Sequence, residues 1–164
     1  MPLAKTAQYW IDQLDLTPHP EGGWYKETFR SDVQYDGRSV ATGIYFLLTA
    51  ENVSNFHRID AEEMWHFYAG DPLTVHIIDG SGEYATMSIG PDIDGGQQFQ
   101  AVVPANVWFG SSVDKPEGYA LVGCTVSPGF EFDSFELAGR AAMLGEFPQH
   151  EVVIKQLTKS DSEE

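Results

Sequence analysis

The sequence is poor in cysteine and lysine, and it contains no long apolar run. Its 164 residues include a single cysteine, Cys124, so no disulfide can form within the chain, which fits a reducing compartment. No uncharged apolar stretch approaches the roughly 18 residues of a membrane span. The first residues are interrupted by charges and lack the apolar region of a signal peptide. These absences predict a soluble, cytoplasmic protein.

Basic residues are scarce altogether. Lysine and arginine number 9 against 25 acidic residues, which gives a formal net charge of −16. Phosphate backbones are bound by clustered lysine and arginine, and the sequence has no such cluster. An acidic surface also weakens attraction to anionic lipids. The composition therefore predicts neither a nucleic-acid partner nor a membrane partner.

Short β-rich segments make up most of the chain. They are separated by Gly, Pro or Asp at intervals of about 10 residues, which is typical of an all-β sandwich or barrel. The length indicates one domain, over residues 1–158, followed by an acidic tail at 159–164 that we expect to be disordered. A short helix is predicted at 6–16, with Thr6 as its N-cap.

The C-terminal part has a helical pattern instead. Asp133 and Glu136 have the spacing of a capping box and predict a helix over 135–144. A last short helix is predicted over 149–157. The sequence thus predicts an all-β domain with a short N-terminal helix and C-terminal helices.

The stretch 54–70, SNFHRIDAEEMWHFYAG, concentrates the candidate chemistry. It predicts one strand ending near Ile59, a tight polar turn and a second strand beginning at Glu63. Because side chains alternate along a strand, Glu63 shares a face with Trp65 and is expected to point inward. A buried carboxylate needs a partner, and His57 on the preceding strand is the predicted one. The pair would either carry out acid–base chemistry or hold the two strands together as an internal clamp.

The spacing of this stretch resembles the first cupin motif, which is His-x-His, three or four residues, Glu, six residues, Gly. His57, Glu63 and Gly70 match it, and Ile59 replaces the second histidine. The wider sequence resembles the Cupin_5 (DUF985) family, whose function is unknown, in four stretches: 19–31, 41–78, 103–110 and 127–138. The resemblance implies a double-stranded β-helix, the cupin jelly-roll, and a homodimer. Pairing across a two-fold axis would also cover the edge strands of such a fold.

Many cupins hold a metal with three histidines and a glutamate. Here Phe109 occupies the histidine position of the second cupin motif, and Ile59 occupies the second histidine position of the first motif. Two of the four ligands remain, His57 and Glu63, whereas a tight site needs at least three protein ligands. His66 is out of register with Glu63 and is expected on the opposite face. We therefore predict no cofactor, although a divalent metal held partly by His57 and Glu63 stays an open alternative.

The remaining prediction is metal-free acid–base chemistry. Glu63 would orient His57 as a base near neutral pH, and Tyr45 on the preceding strand could donate a proton from the opposite side. The segment PEGGWYKETF also resembles the opening of dTDP-sugar 3,5-epimerases, where a glycine, aromatic residues and a glutamate precede a nucleotide-sugar pocket. Gly22 stands where those epimerases carry a phosphate-binding arginine, and Arg30 and Arg58 are candidates to replace it.

The predicted pocket combines both stretches. Along 24–30 the alternation places Trp24 and Arg30 on one face and Tyr25 and Glu27 on the other. The residues predicted to bind the ligand are Trp24, Glu27, Arg30, Trp65 and Phe109.

The sequence therefore predicts a small-molecule-binding cupin. Its most concrete possible activity is that of a metal-independent carbohydrate or nucleotide-sugar epimerase or isomerase, with His57, Glu63 and Tyr45 as catalytic residues. Three alternatives stay open: a non-catalytic ligand-binding cupin, a metal-dependent cupin enzyme using His57 and Glu63, and a structural protein with a filled barrel.

Overall fold

The protein is built from thirteen short strands and three short helices in a computed structural model that describes residues 4–160. The strands are β1 (Thr17–Pro18), β2 (Trp24–Arg30), β3 (Gln34–Tyr35), β4 (Arg38–Ser39), β5 (Thr42–Thr49), β6 (Ser54–Arg58), β7 (Glu62–Gly70), β8 (Leu73–Ile78), β9 (Tyr84–Ile89), β10 (Gln100–Val103), β11 (Trp108–Ser112), β12 (Tyr119–Ser127) and β13 (Glu136–Leu137). The helices are α1 (Ala7–Leu14), α2 (Arg140–Glu146) and α3 (Glu151–Gln156).

The strands form two antiparallel sheets and a small hairpin. One sheet has the order β1-β2-β5-β12-β7-β10, the other has the order β13-β6-β11-β8-β9, and β3 pairs with β4. Consecutive strands often lie in different sheets, as a jelly-roll requires. The predicted all-β jelly-roll with short terminal helices is confirmed.

The main core lies between the inner faces of the two sheets. Phe46, Trp65 and Val122 contribute to it from the six-stranded sheet, and Val75 and Phe109 from the five-stranded sheet, all of them buried. Alternation along each strand supplies these inward side chains. The helices α2 and α3 cover a second apolar cluster on the outer side of the five-stranded sheet. None of the helices between residues 4 and 160 has both the length and the apolar character needed to cross a membrane.

Helix positions agree with the sequence at the N-terminus and differ near the C-terminus. Thr6 caps α1, its hydroxyl accepting a hydrogen bond from the Tyr9 amide at 3.1 Å. The predicted helix over 135–144 is wrong in its first half. Glu136 begins strand β13, which pairs with the edge strand β6, and α2 begins only at Arg140. Strand pairing satisfies backbone groups that the predicted capping box would otherwise have satisfied. Most of the predicted acidic tail lies outside the described residues.

Candidate functional site

A cavity of about 250 Å³ opens between the sheets at one end of the sandwich. Strands β2, β5, β7 and β12 form one side of it, and β6 together with the segments 19–21 and 130–132 closes the other. Part of its wall is apolar, with Ile44, Ile59 and Val126 on the surface. Two histidines and two buried carboxyl groups interrupt this apolar wall, and they are the candidate chemistry of the site.

Glu21 reaches the cavity because its loop packs directly on the chain before β6. Gly22 has a φ of +116°, and a β-carbon there would lie 2.0 Å from the carbonyl oxygen of Val53, so only glycine permits this approach. The carbonyl oxygen of Glu21 accepts hydrogen bonds from the backbone amide and the side-chain amide of Asn55, at 2.9 and 3.1 Å. These contacts fix the buried Glu21 side chain beside β6.

His57 is the partner of Glu21. Its Nε2 lies 2.9 Å from Oε2 of Glu21, and its Nδ1 lies 2.8 Å from the carbonyl oxygen of Asn55. A carbonyl oxygen only accepts hydrogen bonds, so Nδ1 carries a proton. Burial opposes a charge on the ring, but the negative charge of Glu21 and these two hydrogen bonds outweigh it and raise the pKa of His57. Glu21 and His57 therefore form a buried ion pair.

Glu63 lies across the cavity from this pair. It is 8% exposed, and its Oε2 accepts a hydrogen bond of 3.2 Å from the indole Nε1 of Trp65. Burial is the largest influence on the pKa of this carboxyl group. Although the charge of His57 and the indole hydrogen bond oppose the effect, burial and the charge of Glu21 raise the pKa of Glu63 to about 7. The group is thus poised between its neutral and ionised forms near physiological pH.

The predicted pairing of His57 with Glu63 is corrected by this geometry. The carboxylate bonded to His57 is that of Glu21, and Glu63 acts on the ring only through its charge. The physical reason is the topology. His57 lies on β6 in the five-stranded sheet and Glu63 on β7 in the six-stranded sheet, so the two residues face each other instead of pairing as neighbours in a hairpin.

Comparisons with known proteins agree with this architecture. The family model described as the cupin superfamily (DUF985), Cupin_5, matches residues 8–138. The chain belongs to the Cupin_5 family. A solved protein from Shewanella oneidensis is 42% identical with a TM-score of 0.93, covering 96% of this chain and 100% of that one. A hypothetical protein from Leishmania major is 40% identical with a TM-score of 0.90, covering 95% and 100%. An uncharacterized yeast protein (Saccharomyces cerevisiae) is 27% identical over 77% of this chain and 72% of its own.

The mouth of the Cupin_5 cavity contains two predicted ligand-binding residues, Glu27 and Arg30. The register of β2 against β5 shifts between Glu27 and Phe29, which moves Arg30 onto the cavity face that Tyr25 and Glu27 already share. This irregularity overrides the simple alternation expected from the sequence. Arg30 forms an ion pair of 2.6 Å with Glu27 and donates a hydrogen bond to the Phe130 carbonyl.

Other predicted site residues lie away from the cavity surface. Trp24 and Tyr45 pack on the outer face of the six-stranded sheet, in a cluster with Leu47 and α1, so their predicted place in the pocket is corrected. Trp65 and Phe109 are buried and do not line the cavity, so their predicted contact with the ligand is corrected. Trp65 contacts Glu63, and Phe109 contacts His57.

Glu21 is a site residue that the sequence did not reveal, and His19 is a second. The Nδ1 of His19 accepts a hydrogen bond of 3.1 Å from the Glu21 amide. Burial lowers the pKa of His19 against the opposing charge of Glu21, and an Nδ1 that accepts this hydrogen bond carries no proton. Both residues lie in a loop, where periodicity gives no direction to a side chain. The two glycines that follow Glu21 were the available signal, because paired glycines often mark a close backbone approach.

The metal set of other cupins does not fit this site. Among residues 4–160, no group of three or more His, Cys, Asp or Glu side chains is arranged to hold a metal ion. Ile59 and Phe109, at the two missing histidine positions, are buried and apolar. His66 bonds to Thr125 on the opposite face, as expected, and His76 bonds to Tyr84 and Ser112 elsewhere in the fold.

Proposed function

We propose that this Cupin_5 protein binds a small carbohydrate-like molecule in the cavity and moves a proton next to its carbonyl group, as an isomerase or epimerase does. The observation that carries the proposal is Glu63, a carboxyl group in the cavity wall whose pKa is raised to about 7. An acid–base group works best when its pKa is close to the working pH. Perturbed groups of this kind are concentrated at functional sites.

In the proposed reaction the ionised carboxylate of Glu63 removes a proton from the carbon beside the carbonyl group. The C–H electron pair moves into the carbon skeleton, and the carbonyl oxygen takes the negative charge. An isomer forms when Glu63 returns the proton to the former carbonyl carbon, while the hydroxyl proton of the first carbon passes to the former carbonyl oxygen. An epimer forms when water entering through the cavity mouth returns a proton to the first carbon from the other face and Glu63 releases its own proton to solvent. Such a base contributes about 10²–10⁴-fold to the rate.

The ion pair of Glu21 and His57 has a supporting part in this proposal. Both ring nitrogens of His57 are already hydrogen-bonded, to Glu21 and to the carbonyl group of Asn55, so His57 suits the predicted role of base less well than Glu63 does. The imidazolium instead supplies a fixed positive charge in the cavity wall. Charge of that sign stabilises an oxyanion as it develops, and Glu21 holds the ring in place.

The size of the cavity favours a small ligand. Its volume of about 250 Å³ is below the roughly 300–1,000 Å³ of sites for drug-sized molecules. A single sugar unit suits this space better than a complete nucleotide sugar. The ligand class is therefore narrower than the sequence predicted.

The test is a proton-exchange experiment. A panel of aldoses, ketoses and amino sugars is first screened by thermal shift, and the stabilising compounds are then incubated with the protein in D₂O and followed by NMR. We expect deuterium to enter the position next to the carbonyl group. Exchange should be lost in Glu63→Gln and retained in Glu83→Gln, whose exposed side chain lies in the β8–β9 turn. Binding without exchange in the unmodified protein would favour the non-catalytic alternative.

A further inference from the structure

The side chains that line the cavity carry more negative than positive charge. Among residues 4–160, two cations line it, His57 and Arg30, and each is paired with one glutamate, Glu21 and Glu27 respectively. The same residues supply four carboxyl groups to the lining: Glu21, Glu27, Glu63 and Glu131. Two of them thus remain without a balancing cation.

Glu63 and Glu131 are those two carboxylates. Within residues 4–160, no lysine, arginine or histidine nitrogen lies within 4.0 Å of a carboxylate oxygen of either residue. Glu63 lies inside the cavity, and its Oε2 accepts one hydrogen bond, from Trp65. Glu131 lies at the mouth and is half-buried. An ionised carboxylate away from bulk water is stabilised by a cation, so these two groups define what a ligand has to supply.

Aromatic rings also form part of the cavity wall. Tyr25, Phe130 and Phe132 all line the cavity, and the rings of Phe130 and Phe132 meet edge to face with centroids 4.9 Å apart. The faces of such rings attract a cation through their quadrupole. Aromatic walls and unpaired carboxylates together favour the same class of ligand.

We infer that the ligand of this cavity carries an ammonium group, as an amino-bearing polyol or sugar does. This inference rests on the proposed function, which places the substrate in this cavity. It adds that the substrate carries a positive charge. Phosphate or carboxylate groups would meet two unpaired carboxylates. Neither arginine considered for diphosphate binding is free for an anion, because Arg30 pairs with Glu27, and Arg58 pairs with Glu136 while lying over the Trp108 ring.

Binding of such a cation is coupled to a proton. An ammonium group beside Glu63 binds best when the carboxyl group is ionised. Because the pKa of Glu63 is about 7 in the free protein, most of the protein at pH 6 must first release this proton before it binds the cation. The ionised fraction rises about tenfold between pH 6 and pH 8. The affinity for the cation should rise by about the same factor, while the affinity for a neutral polyol stays nearly constant.

Three six-carbon compounds with the same chain test the inference. Glucitol is neutral, 1-amino-1-deoxyglucitol is a cation, and gluconate is an anion. An aliphatic ammonium group keeps its proton across this pH range. Their affinities are measured by titration calorimetry at pH 6 and pH 8 with the full chain. We expect the amine to bind at least tenfold more tightly than glucitol at pH 8, with gluconate the weakest.

Matched variants locate the effect. Glu63→Gln should abolish the pH dependence of amine binding. Glu131→Gln, at the half-buried mouth, should weaken binding of the amine by a larger factor than binding of glucitol. Glu83→Gln, far from the cavity, should change neither affinity. Thermal unfolding of each variant shows that it is folded, and Glu131→Gln keeps the test available if Glu63→Gln fails to fold.

Each other outcome is decisive. Equal affinities for glucitol and the amine would overturn the inferred positive charge of the ligand and leave the proposed sugar-like site intact. An amine affinity that is the same at pH 6 and pH 8 would have the same meaning. Tightest binding of gluconate overturns the charge as well. Absence of binding by all three compounds overturns the inference, whereas the proposed function is overturned only if the sugar panel shows neither binding nor deuterium exchange.

Discussion

Replacing Glu63 with glutamine should raise the stability of the protein more at pH 8 than at pH 5. Burial raises the pKa of this carboxyl group from an ordinary 4.5 to about 7, so the folded protein holds a proton that the unfolded chain releases between those two values. The contribution of Glu63 to stability is therefore greatest below pH 4.5 and falls as the pH rises towards 7. Relative to an uncharged amide, the carboxyl group costs about 1 kcal/mol at pH 5 and about 3 kcal/mol at pH 8.

The measurement is urea unfolding of the unmodified protein and of Glu63→Gln at pH 5 and pH 8. The free-energy difference between the two proteins should shift by about 2–3 kcal/mol in favour of the variant at pH 8. For a domain of this size that corresponds to about 5–10 °C in melting temperature. Glu83→Gln, which changes an exposed glutamate, should show no such shift. If the difference for Glu63→Gln is the same at both pH values, Glu63 ionises as an ordinary surface carboxyl group and the proposed acid–base role loses its basis.

Two further substitutions test the rest of the site. Glu21→Gln removes the carboxylate that balances His57, so it should destabilise the fold at pH 6 by about 3–5 kcal/mol and lower the pKa of His57 in an NMR titration; an unaltered His57 titration would contradict the ion pair. Tyr45→Phe should leave ligand binding and deuterium exchange unchanged, because Tyr45 lies on the outer face beside Tyr68, whereas Tyr25→Phe in the cavity wall should weaken binding. Loss of exchange in Tyr45→Phe would restore its predicted role as a proton donor.

The fold could be predicted because its signals are local. Alternating side chains, turn residues at regular intervals and the cupin-like spacing of His57, Glu63 and Gly70 all indicate the same jelly-roll. The prediction failed where pairing across the fold decided the outcome. The strand that begins at Glu136 forms because it pairs with the edge strand β6. The sequence of residues 135–144 contains no pattern that predicts this pairing.

The candidate site could be predicted only in part, for a related reason. Alternation correctly directs Glu63 inward, but it says nothing about which sheet the neighbouring strand joins. The partner of His57 comes from a loop 36 positions earlier in the numbering (57 − 21), held there by the close approach of Gly22 to Val53. Contacts of this kind depend on the assembled sheets, so the residue types around the site were predictable while their pairing was not.

The two departures from the cupin metal motif and the unusual carboxyl group have a common physical basis. Ile59 lines the same cavity as Glu63, and Phe109 packs against the ring of His57 with centroids 4.1 Å apart. Imidazole groups at these positions would have supplied metal ligands and polar surroundings. Apolar side chains supply neither, and desolvation is the largest influence on the pKa of Glu63. The substitutions that remove the metal set therefore favour a carboxyl group that exchanges its proton near neutral pH.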